Sequence, residues 1–141
     1  MPKILLLYED HSEAEVLADS LQRGGLEVMA FGDTDAAARD IIRQQPDLLI
    51  LDMDLPRFSG LELHECLKFT RRASDLPVIY LTSNHDSIQR LVAVQQGASA
   101  ILSKDGDGPR LLEVALRVLQ RKSESSRSAG HSGPSAPIFR D

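Results

Sequence analysis

Five short apolar runs, each followed by a longer segment with helical spacing, constrain the fold of this chain more than any other feature. The runs are rich in Ile, Leu and Val, as expected for strands that are buried on both faces of a parallel sheet. The predicted strands are residues 4–8, 26–31, 48–51, 78–81 and 100–102. Regular alternation of this kind favours an α/β fold, with a five-stranded parallel sheet between two layers of helices.

The segments between the runs carry start and stop signals for helices. Small polar residues that accept hydrogen bonds predict N-caps, and proline is favoured in a first turn. Glycines just past the apolar periodicity predict helix ends. The predicted start residues are Ser12 (in a capping box with Glu15), Asp35, Asp86 and Pro109, while Gly24 and Gly25 end the first helix.

The composition changes near residue 122. Residues 123–137 contain six Ser, two Gly and two Pro, and they lack large apolar side chains. Such a stretch buries too little surface to offset the entropy lost on ordering. We therefore predict a folded domain over residues 1–122 and a flexible Ser/Gly/Pro-rich linker or tail over residues 123–141.

Charge and cysteine content exclude several classes of protein. The net charge of −5 disfavours nucleic-acid binding by this domain, since phosphate contacts need clustered Lys and Arg. Cys66 is the single cysteine, so an intrachain disulfide is impossible. The apolar run at residues 4–8 is too short for a signal peptide or a membrane span. We expect a cytoplasmic protein that does not enter a membrane.

Acidic, hydroxyl and basic side chains follow the predicted strands. In open parallel sheets, ligands bind at the carboxyl ends of the strands. Carboxylates that converge there repel one another, and Mg²⁺ relieves such repulsion with oxygen ligands. An aspartate can also act as a nucleophile and form an aspartyl phosphate, which a lysine and a hydroxyl group would stabilise. The residues at the strand ends are Glu9, Asp10, Asp52, Asp54, Thr82, Ser83 and Lys104.

The type and spacing of these residues resemble the receiver domain of two-component response regulators. Asp52 follows Asp10 by 42 residues, in the segment Leu-Leu-Ile-Leu-Asp-Met-Asp-Leu-Pro. Thr82 follows Asp52 by 30 residues, and Lys104 follows Thr82 by 22. Gly60 lies eight residues past Asp52, as in the family. The resemblance covers residues 3 to about 122.

The resemblance implies a flavodoxin-like, doubly wound (βα)5 fold with strand order 2-1-3-4-5. It also implies a regulatory phosphoacceptor rather than an enzyme. Asp52 would accept a phosphoryl group from a phosphohistidine on a sensor histidine kinase or a histidine phosphotransfer protein. The implied Mg²⁺ ligands are Glu9, Asp10, Asp52 and the backbone carbonyl of Asp54, and the implied phosphoryl contacts are Thr82 and Lys104, with Ser83 beside them.

The resemblance also assigns surfaces. The first helix would meet the phosphodonor. Residues 86–121 would form the output surface, which contacts an output domain or a partner protein and in some family members a second copy of the chain.

Two positions depart from the family. Ile101 stands where receivers usually carry the Tyr or Phe that turns inward when the switch threonine moves. Asp105 stands where the family usually has a proline, commonly in a cis peptide. A cis bond before a residue other than proline costs about 2.5–4 kcal/mol, so we expect a trans peptide here.

Two alternatives remain open at this point. A pseudo-receiver would have the same fold but bind partners without phosphorylation, and the departures at Ile101 and Asp105 favour it. A haloacid-dehalogenase-type phosphatase would use Asp52 as nucleophile and Asp54 as acid/base. That class needs a further acid pair on a later strand, and steady turnover of a phosphomonoester would reveal it.

Overall fold

The computed structural model describes residues 1–56, 59–70, 73–83, 87–106 and 108–132. In this part of the chain, five strands alternate with five helices, and a short 3₁₀ turn (Gly108–Arg110) precedes the last helix. The elements are β1 (Lys3–Leu7), α1 (His11–Arg23), β2 (Glu27–Phe31), α2 (Thr34–Gln44), β3 (Leu48–Asp52), α3 (Ser59–Leu67), β4 (Val78–Thr82), α4 (Ser87–Gln95), β5 (Ala100–Ser103) and α5 (Leu111–Ser132). The alternation confirms the α/β fold.

The strands form one parallel sheet, in the order β2-β1-β3-β4-β5. This order confirms the doubly wound, flavodoxin-like topology. Strand β3 is central and pairs with β1 and β4, and every residue of β3 and β4 is buried. The strand order reverses direction between β1 and β3, so the carboxyl ends of these two strands lie side by side. A ligand site is expected at such a switch point.

Alternate residues along each strand enter two separate apolar layers, because successive side chains point to opposite faces of a sheet. Ile4, Leu6 and Ile50 pack in one layer with residues of α1 and α5. Leu5 and Leu49 pack in the other layer with residues of α2, α3 and α4. Burial on both faces explains why these strands read as continuous apolar runs.

Two predicted N-caps are wrong by two residues. Helix α1 begins at His11, and the Asp10 side chain accepts a hydrogen bond from the Glu13 N–H at 3.0 Å. Asp10, rather than Ser12, is therefore the cap of α1. In the same way Asp33, rather than Asp35, caps α2. Each helix has several cap-forming residues within one turn, and the extended backbone just before the helix selects one of them. The predicted cap Asp86 lies outside the described residues.

Helix α5 continues to Ser132, so residues 123–132, where we predicted the start of a linker or tail, are helical. Serine lowers helix propensity but does not break a helix, and the first Gly-Pro pair after Lys122 is at residues 133–134. Residues 133–141 lie outside the described part, and the domain boundary at residue 122 stays a prediction. The helices of the described segments, α5 included, are too short or too polar to cross a bilayer.

Candidate functional site

Asp52 is the last residue of β3 and is fully buried at the carboxyl edge of the sheet. Its Oδ1 lies 2.8 Å from the Lys104 ammonium and accepts the Asp54 backbone N–H at 2.8 Å. Its Oδ2 accepts the Glu9 backbone N–H at 2.9 Å. A buried carboxylate is costly unless it is paired and hydrogen-bonded, and these three contacts supply both. The structure thus brings together Asp52, Lys104 and the Glu9–Asp10 segment at the sheet edge where ligands are expected.

Lys104 follows β5 and connects the acidic groups of the site. Besides Asp52, its ammonium contacts Asp54 Oδ2 at 3.0 Å and lies 4.5 Å from the centre of the Tyr8 ring. Burial lowers the pKa of this ammonium, but hydrogen bonds and charge from Asp52 and Asp54 outweigh burial and raise the pKa above its ordinary value. Lys104 therefore stays protonated and holds a fixed positive charge beside Asp52.

The Asp54 side chain lies within the site, although the receiver resemblance implies a role only for the Asp54 backbone carbonyl. Its Oδ2 accepts hydrogen bonds from the Ser83 N–H at 2.8 Å and the Ser83 hydroxyl at 2.7 Å. Its Oδ1 accepts from the Thr82 hydroxyl at 3.1 Å. Burial raises the pKa of the Asp54 carboxyl, but the Ser83 hydrogen bonds and Lys104 outweigh it and hold the pKa below its usual value. The group is therefore a carboxylate at neutral pH.

Glu9 and Asp10 are exposed beside Asp52. Among the described residues, no three His, Cys, Asp or Glu side chains are already arranged around a point that could hold a metal ion. The donors nonetheless fit Mg²⁺ in kind, because carboxylate and carbonyl oxygens are its preferred ligands. The backbone hydrogen bond from Glu9 to Asp52 keeps the two acidic segments adjacent.

Gly60 explains how α3 begins so close to the site. A Cβ at this position would lie 3.0 Å from the backbone carbonyl oxygen of Asp52, which is tighter than most real contacts. The absence of a side chain at Gly60 thus lets the first turn of α3 approach the end of β3.

Tyr80, on β4, pairs in register with Ile101 on β5. Tyr80 is fully buried, and its hydroxyl oxygen lies 2.7 Å from Nδ1 of His64 on α3 and 3.4 Å from Oε1 of Gln96, just past α4. Burial, with a smaller contribution from Lys68, lowers the pKa of His64 to about 4, so the imidazole is neutral. The strand next to Ile101 thus carries a buried aromatic residue that links α3 to α4.

The two sequence departures are visible in the structure. Ile101 is half-buried and packs against the layer of α2, α3 and α4. The Lys104–Asp105 peptide is trans, as expected. Asp105 is exposed, and its N–H donates to the Ser103 hydroxyl at 3.1 Å.

Sequence comparisons identify the family of the chain. A family model described as the response regulator receiver domain matches residues 4–116. The transcriptional regulatory protein AfsQ1 of Streptomyces coelicolor is 33% identical over 124 residues, which cover 88% of this chain and 53% of that protein. The phosphate regulon transcriptional regulatory protein PhoB of Pseudomonas aeruginosa is 30% identical over 122 residues, which cover 86% and 53%. This chain thus spans about half the length of these curated relatives.

Solved structures show the same fold. A response regulator receiver domain protein from Clostridium thermocellum superposes with a TM-score of 0.78 at 23% identity, over 87% of this chain and 98% of that one. The chemotaxis response regulator CheY4 of Vibrio cholerae gives a TM-score of 0.72 at 24% identity, over 86% and 98%. The fold and the family match define a regulatory module of two-component signalling. The chain belongs to the response regulator receiver domain family.

Proposed function

We propose that this chain is a phosphorylation-dependent receiver that accepts a phosphoryl group on Asp52, in a cytoplasmic two-component phosphorelay. The observation that carries the proposal is the buried Asp52 carboxylate, held by the Lys104 ammonium at 2.8 Å at the carboxyl edge of the sheet. Lys104 keeps a positive charge where a transferred phosphoryl group would bring negative charge.

The proposed step transfers a phosphoryl group from a phosphohistidine. A carboxylate oxygen of Asp52 forms the new bond to phosphorus, while the bond between phosphorus and the histidine nitrogen breaks. The imidazole leaves and takes up a proton from water. Lys104, Thr82 and Ser83 would then donate hydrogen bonds to the phosphoryl oxygens, which is the role that the family resemblance gives to the first two.

Mg²⁺ would be held by the carboxylates of Glu9, Asp10 and Asp52 and by the backbone carbonyl of Asp54. When bound, it neutralises part of the negative charge on the phosphoryl oxygens and the carboxylates. Asp10 could cap α1 and hold the ion at the same time, because the cap uses one of its oxygens and a carboxylate has several acceptor sites.

The donor would be a sensor histidine kinase or a histidine phosphotransfer protein docked on α1. A cleft of about 310 Å³ opens between α1 and Lys104, with an apolar lining that includes Leu17 and Val16. Val16 is 69% exposed beside this cleft, so an apolar side chain of α1 is available for contact with the donor.

The output surface would be formed by residues 86–121 and would contact an output domain, a partner protein or a second copy of the chain. Helix α4 exposes Ile88, Leu91 and Val94 along one side. The relatives AfsQ1 and PhoB are transcriptional regulatory proteins, which supports transcriptional control as the output. Because Ile101 has no ring to turn inward, we propose that phosphorylation changes this surface less than in a receiver with an aromatic residue there. A full-size change in amide chemical shifts of residues 86–121 with beryllofluoride would contradict this.

Intact-mass spectrometry after incubation with acetyl phosphate and Mg²⁺ tests the proposal. The expected result is one added phosphoryl group, which is lost in Asp52→Asn and in the presence of EDTA. Asp47→Asn is the matched control, because Asp47 lies at the other end of β3 and should leave the reaction unchanged. No adduct on the wild-type protein would favour the pseudo-receiver, and steady hydrolysis of a phosphomonoester would favour the phosphatase.

A further inference from the structure

The Asp54 carboxylate contacts the same three residues that would hold a phosphoryl group on Asp52. Its oxygens accept hydrogen bonds from Thr82 at 3.1 Å and from Ser83 at 2.7 and 2.8 Å, and contact the Lys104 ammonium at 3.0 Å. A carboxylate and a phosphoryl group both present negatively charged oxygens to such donors. The side chain of Asp54 therefore already occupies the donors that phosphorylation would need.

We propose that Asp54 is an internal ligand that competes with the phosphoryl group for Thr82, Ser83 and Lys104. This inference rests on the proposed function, since it gives Asp54 a part in the phosphorylation of Asp52. Asp54 is a positioning residue here: it makes no bond to the transferred group, and it acts through the donors that it holds.

The competition follows from charge and distance. A phosphoryl group adds a charge of about −1.5 to −2 and three acceptor oxygens. Like charges at hydrogen-bonding distance from the same ammonium repel each other strongly in a partly buried site. The Asp54 side chain is 20% exposed, so it is able to turn toward solvent. Phosphorylation must therefore displace this carboxylate, and the lost hydrogen bonds weaken the phosphorylated state.

The contacts also set the resting conformation. The Thr82 hydroxyl and the Lys104 ammonium point toward the site before any phosphoryl group arrives, because both contact Asp54 and the ammonium also contacts Asp52. Exchange of one anionic ligand for another then requires little further movement of these side chains. The same contacts thus reduce both the stability of the phosphorylated state and the size of the switch at Thr82.

Two substitutions of Asp54 separate the effects of charge and of contact. Asp54→Asn removes the charge and keeps the shape, whereas Asp54→Ala removes every contact of the side chain. Asp33→Asn is the matched control, because it removes one negative charge from a loop at the same edge of the sheet. Asparagine caps a helix as well as aspartate does, so α2 should be unaffected.

The first measurement is the amide spectrum of the protein without Mg²⁺ or phosphodonor. The Ser83 N–H resonance should shift upfield in both Asp54 variants and stay in place in Asp33→Asn. Only the Asp54 variants lose the carboxylate that accepts the Ser83 N–H. An unchanged Ser83 resonance in both Asp54 variants would show that the contact is absent in solution and would overturn the inference.

The second measurement is the beryllofluoride concentration that half-saturates each protein at saturating Mg²⁺. We expect about tenfold tighter binding in Asp54→Ala than in the wild type and Asp33→Asn, the change for one competing charged contact. Equal or weaker binding in both Asp54 variants would overturn the inference and leave the proposed function standing. Absence of binding in all the proteins would instead contradict the proposed function, and the competition with it.

Discussion

Strand β3 has an aspartate at each end, since Asp52 is its last residue and Asp47 directly precedes its first. Each aspartate contacts a lysine from later in the chain. At the carboxyl end, the Asp52–Lys104 pair is 2.8 Å long, and its side chains are 0% and 16% exposed. At the amino end, Lys122 lies 3.8 Å from the Asp47 carboxylate, and these side chains are 33% and 45% exposed. The residue types are the same, but the surroundings differ.

The difference shows which charges constrain the molecule. Asp47 accepts a hydrogen bond from the Lys3 backbone N–H, and Lys122 donates to the Asp47 backbone carbonyl, so this end fastens β1, β3 and α5 together. A half-exposed pair of this kind is screened by water and contributes little. The pair at Asp52 is removed from water, so the loss of either partner leaves a charge uncompensated. The stability of the molecule therefore depends on the charges of the buried Asp52–Lys104 pair more than on those of the Asp47–Lys122 pair.

The largest predicted effect compares the two lysines. Lys104→Met should lower the free energy of unfolding by about 3 kcal/mol, because Asp52 and Asp54 lose their shared cation. Lys122→Met should lower it by less than about 1 kcal/mol. Urea unfolding at neutral pH measures both. Equal losses in the two variants would contradict the distinction between the two ends of β3.

His64 and Tyr80 form a buried polar pair that carries no formal charge, and this pair sharpens the comparison. The pKa of His64 is about 4 in the fold against an ordinary 6.5, so between these values the unfolded chain binds a proton that the folded chain excludes. Stability should therefore fall as the pH drops from 6.5 to 4, by about 2 kcal/mol. His64→Gln should remove this part of the pH dependence, as followed by urea unfolding at several pH values. His11→Gln is the matched control, because it makes the same substitution at an exposed site.

The smallest predicted effect separates the role of Asp10 as an N-cap from its proposed role in phosphorylation. Asp10→Ala and Asp33→Ala each remove an N-cap and should each lose about 1 kcal/mol of stability in thermal or urea unfolding. Phosphorylation by acetyl phosphate with Mg²⁺ should be lost only in Asp10→Ala. Loss of phosphorylation in both variants would mean that the cap, rather than the Asp10 carboxylate, supports the reaction.

Much of this fold is predictable, because strands that are buried on both faces of the sheet consist of continuous apolar runs. The apolar run at residues 48–51 gives β3 to within one residue, and the parallel sheet then places Asp52 beside Lys104. The caps were mistaken at Ser12 and Asp35 because the competing residues lie within one turn, and local backbone geometry decides among them. Propensity alone does not resolve such choices.

Side-chain contacts between elements are harder to predict. The receiver resemblance implies a role only for the backbone carbonyl of Asp54. An acid two residues past Asp52, at the same edge of the sheet as Lys104, is itself a signal for a side-chain role. The contact of His64 with Tyr80 joins a helix to a strand and depends on how α3 packs on β4. Periodicity predicts which face of an element is buried, but it does not predict which polar atoms meet there.

The most direct test of the account is to locate the phosphoryl group on the chain. Borohydride reduces an acyl phosphate to an alcohol, so peptide mass mapping after phosphorylation and reduction identifies the modified residue without a substitution. The account predicts a single mark on Asp52, the buried carboxylate paired with Lys104. A mark on Asp54, Asp10 or Glu9, or no mark on a protein that binds Mg²⁺, would contradict it.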